Sequence, residues 1–74
     1  MTWNHRVVRR PDPDGTEHFY IHEAYYPGKE PHDKADSITM EAISVNGEDV
    51  ESLRWVLERM LECLEKPVLE YDDF

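Results

Sequence analysis

Four histidines, His5, His18, His22 and His32, with Glu23 and Asp33 adjacent to two of them, are the side chains of this 74-residue chain most suited to hold a metal ion. Imidazole with carboxylate is a donor set of zinc, copper and nickel sites. The spacing argues against such a site. His18 and His22 stand four apart, about 13 Å on an extended strand, too far to share one ion. His5 and His22 would reach a common ion only as cross-strand neighbours, and no His-Glu-x-x-His pattern recruits a helix. Packed or surface imidazoles are therefore expected, and no metal. Cys63 is the lone cysteine and falls at the edge of an apolar helical arc, where a small buried hydrophobe is expected rather than a nucleophile. There is no Gly-rich phosphate loop and no nucleophile elbow. A chain this short also has little volume for a substrate pocket of several hundred Å³. No catalytic residue, no cofactor and no enzymatic activity are expected.

The other chemistry is acidic. Seventeen acids against eight bases give a net charge of −9, unevenly spread. Residues 1–10 carry +3 through Arg6, Arg9 and Arg10, residues 11–40 carry −5, and residues 41–74 carry −7. Such a balance repels nucleic acid and anionic membranes and attracts basic protein surfaces. At about 100° per residue, a helix from about Val50 to Lys66 gathers Glu51, Glu58, Glu62 and Glu65 on one side, with Trp55 beside them. A large aromatic in an acidic surface suits docking to a basic partner, because Trp is enriched at interface hot spots. The expected partner-binding set is Glu51, Trp55, Glu58, Glu62 and Glu65, with Asp72 and Asp73 of the tail. Duplex DNA shows one charge per ~1.7 Å, so a phosphate-like track would need Asp49, Glu70, Asp72 and Asp73 alongside the four glutamates. The bland alternatives are an ordinary solvated helix face, with Trp55 folded over the stems of Arg59 and Glu51, and acidity that only confers solubility. Arg6, Arg9 and Arg10 with Trp3 and Tyr20 have the character of a single-strand stacking platform. The net charge opposes it, and pairing with Glu17 and Glu23 is the expected role.

The elements that must position these residues follow from local pattern. Val7 and Val8 in a stretch without Gly or Pro predict a strand over 3–10. Pro11, Asp12, Pro13, Asp14 and Gly15 form a turn cluster, and the aromatic run that follows predicts a strand over 17–26. A hairpin with a loop of about six residues pairs Arg10 with Glu17, Val8 with Phe19, Val7 with Tyr20 and His5 with His22. In that register Trp3, His5, Val7, Tyr20, His22, Ala24 and Tyr26 share the face that lies under the helix. Pro27 to Ser37 reads as a mobile surface loop. Alternation predicts a third strand over 38–45. Asn46-Gly47 turns the chain, and Asp49 caps a helix over 49–66 that Pro67 stops. Val50, Leu53, Leu57, Met60, Leu61 and Leu64 form its buried stripe. Val68 and Leu69 fold back on the core, and residues 70–74 make a frayed acidic tail. The expected fold is α+β, a three-stranded, mainly antiparallel sheet packed against one long C-terminal helix, in a single domain spanning 1–74. One cysteine excludes an intrachain disulfide, and the lack of an apolar start or long hydrophobic run predicts a cytoplasmic protein, monomeric or weakly dimeric.

Trp3-Asn4-His5-Arg6-Val7-Val8, Ile21-His22-Glu23-Ala24-Tyr25-Tyr26 and Lys66-Pro67-Val68-Leu69 together resemble a small, functionally uncharacterised bacterial family of free-standing domains. That resemblance covers nearly the whole chain and implies no catalytic motif. In size, acidity and lack of an active-site signature the chain also resembles phage and mobile-element anti-CRISPR inhibitors, some of which mimic DNA. This second resemblance implies a bacterial-host setting and a basic target surface, a CRISPR effector subunit of a type I system, with no direct contact to nucleic acid. A fainter similarity is to small antitoxins with a three-strand, one-helix layout, which implies a protein-interaction adaptor instead.

Overall fold

The computed structural model describes residues 1–29 and 34–74. Among the described residues it is an α+β fold with a curled four-stranded mixed sheet and one α-helix. Strand β1 (Thr2–Pro11) pairs antiparallel with β2 (Glu17–Tyr26), and a two-residue β3 (Ser37–Ile38) extends the sheet beyond β2. Helix α1 (Val50–Cys63) follows, and a two-residue β4 (Leu69–Glu70) then runs parallel to β1, giving the order β3-β2-β1-β4. The chain ends in a 3-10 turn at Tyr71–Asp73. His32 and Asp33, together with part of the loop expected over 27–37, lie outside the described residues.

The hairpin turn sets the sheet. Gly15 donates to the Asp12 carbonyl (3.0 Å), and Asp12 donates to Thr16 O (2.7 Å), so Asp12 and Thr16 close a loop of Pro13, Asp14 and Gly15. Proline fixes φ at the first loop position, and Gly15 supplies the positive φ of +91° that ends a turn plus bulge of this kind. Asp14 completes it by accepting from both the Thr16 amide and the Thr16 hydroxyl, which holds its carboxyl below the usual carboxylate range. This tight loop corrects the expected register by one residue: Arg10 pairs with His18, Val8 with Tyr20, Val7 with Ile21 and His5 with Glu23. A one-residue slip moves every side chain of one strand to the other face relative to its partner. Trp3, His5 and Val7 therefore share a face with Ile21, Glu23 and Tyr25, while Arg6, Val8 and Arg10 share the other with Tyr20, His22, Ala24 and Tyr26.

That second face holds the most deeply buried side chains. Val8, His22, Ala24 and Tyr26 are fully sealed, and Ala35, Ile38 and Leu69 pack around Ala24 and Tyr26. Arg6 is also buried there, donating to the Tyr26 hydroxyl (2.9 Å) and to the carbonyl of Pro67, while Tyr26 donates to Asn4 Oδ1 (2.9 Å).

The strand expected over 38–45 is reduced to β3. Thr39 N and Ile43 N still bond Glu23 O and Ile21 O (3.0 Å each), so the segment tracks the edge of β2, but the Thr39 hydroxyl turns to the carbonyl of Glu41 (2.8 Å) and residues 40–42 leave the ladder. Gly47 then passes so close to the first turn of α1 that an added Cβ would lie 2.6 Å from Leu53 N, which excludes a side chain there. Asp49 caps α1 as expected, its carboxylate accepting from Ser52 N (2.7 Å) and its pKa held down by that bond. The helix ends at Cys63, three residues before Lys66. Leu64, Glu65 and Lys66 close a tighter last turn on Leu61 O, Glu62 O and Cys63 O before Pro67 stops it.

Two further expectations are corrected. Of the predicted buried stripe only Met60 is sealed, with Leu53 half-buried; Val50, Leu57, Leu61 and Leu64 face solvent. The tail is docked rather than frayed. β4 joins the sheet, Glu70 pairs with Arg9 (2.9 Å), and the Tyr71 ring lies under the Arg10 guanidinium (4.4 Å to centroid) and against His22. The arginines thus pair inside the molecule, as expected, but with other partners. Arg9 takes Glu70, Arg10 sits between the rings of Tyr20 and Tyr71, and Arg6 uses neutral oxygens in place of Glu17 and Glu23.

Candidate docking site

Helix α1 presents four sides. Its underside, Val56, Met60 and Cys63 with Leu53 at its edge, is turned into the molecule, where α1 packs against β1. At about 100° per residue the opposite side is the row of Glu51, Glu58, Glu62 and Glu65 (the last just past the helix end), all exposed. One flank carries Trp55 and Arg59. The other carries Val50, Leu57, Leu61 and Leu64.

Trp55 is 53 % exposed and Trp3, at the start of β1, is 45 % exposed. Between them opens a cleft of about 410 Å³ lined by Trp3, Asn4, His5, Trp55, Arg59, Glu62 and Lys66. A second recess of about 370 Å³ continues past the two indoles to Glu23, Ile43 and Asn46. Arg59 bridges the helix side of the cleft, its guanidinium 5.4 Å from the Trp55 ring centre and 3.2 Å from Glu62 Oε1. It is stacked on an aromatic and paired with a carboxylate, so the Arg59 half of the alternative packing of Trp55 over Arg59 and Glu51 is present. His5 stacks edge-on against Trp3 (5.2 Å). Burial holds the pKa of His5 below its ordinary value, against an opposing pull from the Glu23 carboxylate. Across the recess Glu23 accepts from the Tyr25 hydroxyl (2.6 Å), which raises the pKa of that phenol. The cleft is therefore an aromatic slot with one fixed guanidinium, one lysine and an acidic rim.

The chain matches no protein-family model, no characterised protein and no solved structure. The family resemblance of the Trp3–Val8, Ile21–Tyr26 and Lys66–Leu69 segments rests on those residues alone.

Of the seven residues expected to bind a partner, Glu51, Trp55, Glu58, Glu62 and Glu65 stand together on α1 and its last turn. Asp72 and Asp73 do not join them. The 3-10 turn that carries them is anchored through Tyr71 to Arg10 and His22, on the sheet face opposite to that of Trp3 and His5. A continuous acidic track running from helix to tail is thus absent among the described residues. The histidine pair also separates: His5 lies opposite Glu23 and His22 opposite Arg6, so the two rings are on different faces and share no ion. No group of three or more His, Cys, Asp or Glu side chains that could hold a metal is found among the described residues. Cys63 is buried and its thiol pKa is raised by desolvation, as suits a packing residue. No described helix is long and apolar enough to cross a membrane. Trp3 and Lys66 are cleft residues that sequence reasoning did not bring to Trp55, whereas Arg59 was expected against Trp55 as part of an ordinary solvated helix face. The one available signal was the placing of Trp3 and His5 on the helix-facing side of the sheet.

Proposed function

We propose that this protein is a non-enzymatic inhibitor that docks, through the glutamate row of α1 and Trp55, onto a basic nucleic-acid-binding surface of a protein machine. The observation that carries the reading is a half-exposed indole, under the Arg59 guanidinium, beside four exposed glutamates of which Glu62 alone is ion-paired, to Arg59, among the described residues. In this role Glu51, Glu58, Glu62 and Glu65 take the place of phosphates against Lys and Arg, and Trp55 with Trp3 supplies the apolar anchor. The sharper form names the machine as a type I CRISPR effector in a bacterial host, and the chain as an anti-CRISPR protein acting by partial DNA mimicry. The separation of Asp72 and Asp73 from the row limits that mimicry to the length of the helix.

The test is competition. The protein is titrated into a purified type I effector bound to labelled target duplex, and DNA release is followed at rising salt. Release that weakens steeply with salt is expected, and Trp55→Ala is expected to weaken it by about 30-fold, the size of an interface hot spot. Full release by the Trp55→Ala, Glu58→Ala, Glu62→Ala triple variant would refute the site. A second reading, an antitoxin-like or housekeeping adaptor without mimicry, is favoured by the exposed leucine flank of α1. Binding to such a partner would be nearly independent of salt, and a toxin gene beside this one would support it.

A further inference from the structure

Glu23 is a half-buried carboxylate that no cation pairs with among the described residues, although Glu41, Glu62 and Glu70 each meet an arginine. It stands on β2 directly opposite His5, on the sheet face that α1 covers. Its Oε1 accepts from the Tyr25 hydroxyl (2.6 Å), which orients the carboxylate and leaves Oε2 without a donor among the described residues. His5 supplies no counter-charge, because burial holds its pKa below the ordinary value and keeps the ring neutral. The recess of about 370 Å³ in front of Glu23 is walled by the indoles of Trp3 and Trp55 and closed by Ala42, Ile43 and Val56. Ile43 is pinned to the edge of β2 through its bond to Ile21 O (3.0 Å), so this wall is held by the sheet. Arg59 and Lys66 line the neighbouring cleft and not this recess, so the two share their indoles but not their cations. Glu23 is therefore the one formal charge among the described residues that line it.

We infer that this recess receives one arginine side chain of the partner, its guanidinium against the indoles and its N–H groups on Glu23 Oε2. The lining selects that occupant. Indole faces attract a cation through their negative π-clouds, and a carboxylate set among apolar walls does so more strongly than one in open water. A guanidinium is flat, weakly hydrated and carries its donors in a fixed fork, so it stacks on an indole while donating to the carboxylate. A compact, strongly hydrated ammonium does the second but stacks poorly. An apolar side chain in the recess would strip water from Glu23 and leave it unpaired, which is costly. The inference rests on the proposed basic partner and deepens it: the glutamate row draws in a positive surface, and the recess selects one residue on it.

Titration of the isotope-labelled full chain with the capped tripeptide acetyl-Gly-Arg-Gly-amide, up to about 20 mM, tests this by NMR without the effector. Saturable shifts of both indole N–H signals are expected, with millimolar affinity for a single side chain. The citrulline tripeptide, similar in shape but uncharged, is expected to bind about 10-fold more weakly, and the lysine tripeptide about 3-fold more weakly. Glu23→Gln keeps an acceptor for Tyr25 and is expected to cost about 10-fold, whereas Glu58→Gln on the helix row leaves the affinity within about 2-fold. Equal binding of the arginine and citrulline peptides overturns the inference, a result that does not depend on how Glu23→Gln folds. Unmoved indole signals overturn it, as does a Glu58→Gln loss as large as that of Glu23→Gln. A lysine peptide that binds as tightly as the arginine one overturns the choice of guanidinium. Selective arginine binding upholds the recess even where the effector competition fails, and that failure then counts against the proposed target alone.

Discussion

On one face of the sheet Arg6, His22 and Tyr26 are sealed together with Val8 and Ala24, although a guanidinium, an imidazole and a phenol are poor core material. On the other face an amphipathic helix rich in leucine lies over Trp3, His5 and Val7, yet seals only Met60 and Cys63 of its own side chains and leaves four aliphatic ones in water. The difference lies in what closes each face. The first is closed by hydrogen bonds and ring stacking from distant parts of the chain: Tyr26 to Asn4, Arg6 to Tyr26 and Pro67, His22 to Thr39, and Arg10 over Tyr71. The second is closed by one helix that is anchored at its cap and turned so that its richest stripe points sideways. Apolar content marks a surface that needs covering, and here the chain does not cover all of it.

The largest effect is expected where polar closure is tightest. Tyr26→Phe removes the hydroxyl that both accepts from Arg6 and donates to Asn4, leaving Nη1 of a buried guanidinium without that partner. A loss of about 2–3 kcal/mol in unfolding free energy by urea titration is expected, since hydrogen bonds to charged groups are worth more than neutral ones and the orphaned groups stay desolvated. A loss under about 0.5 kcal/mol would mean that water replaces the phenol, and the contrast between the faces would be weaker than the burial suggests.

Most of the element boundaries were legible because their signals are local. The Asp49 cap, the Pro67 stop, both long strands and the return of Leu69 to the core each depend on a few adjacent residues. What failed depended on parity and rotation. Reading Pro11 to Thr16 as a slack loop, rather than a three-residue turn closed by Asp12 and Thr16, shifted β2 by one position and placed His22, Ala24 and Tyr26 under the helix. The helical period located a leucine stripe but carries no information on which structure would cover it. Exposure of Trp55 was legible from that same wheel. Its slot with Trp3 was not, because it joins residues 52 positions apart. The tail looked frayed because its hold comes from Arg9, Arg10 and His22, none of them near it in sequence.

Acid should act on both faces through their histidines, the next effect in size. His5 lies under the helix side and His22 on the sealed side, and burial lowers the pKa of each in the folded state. Nδ1 of His22 donates to Thr39 O (3.0 Å), and its Nε2 has no partner among the described residues. Below the unfolded value of about 6.5 the unfolded chain binds protons that the folded one refuses, so stability rises with pH in that window. The stabilisation is complete above pH 6.5 and is lost as pH falls through the lowered folded values. The window from pH 7.5 to 5.5 brackets the reference histidine value of about 6.5. Unfolding titrations at those two pH values are expected to give lower stability at 5.5, with part of the difference removed by His22→Asn and part by His5→Gln. An unchanged difference in the double variant would assign it elsewhere.

The smallest effect is expected at the feature that looks most like core. Leu61 sits in the middle of the helical leucine pattern, where sequence periodicity alone would price its loss at about 2–5 kcal/mol. It is 67 % exposed, so Leu61→Gln removes little buried surface and replaces one good helix former with another. The change in unfolding free energy should stay within about 0.5 kcal/mol of zero. A large cost would mean that α1 is rotated to bury its leucines after all, and the two faces of the sheet would then be closed by the same principle.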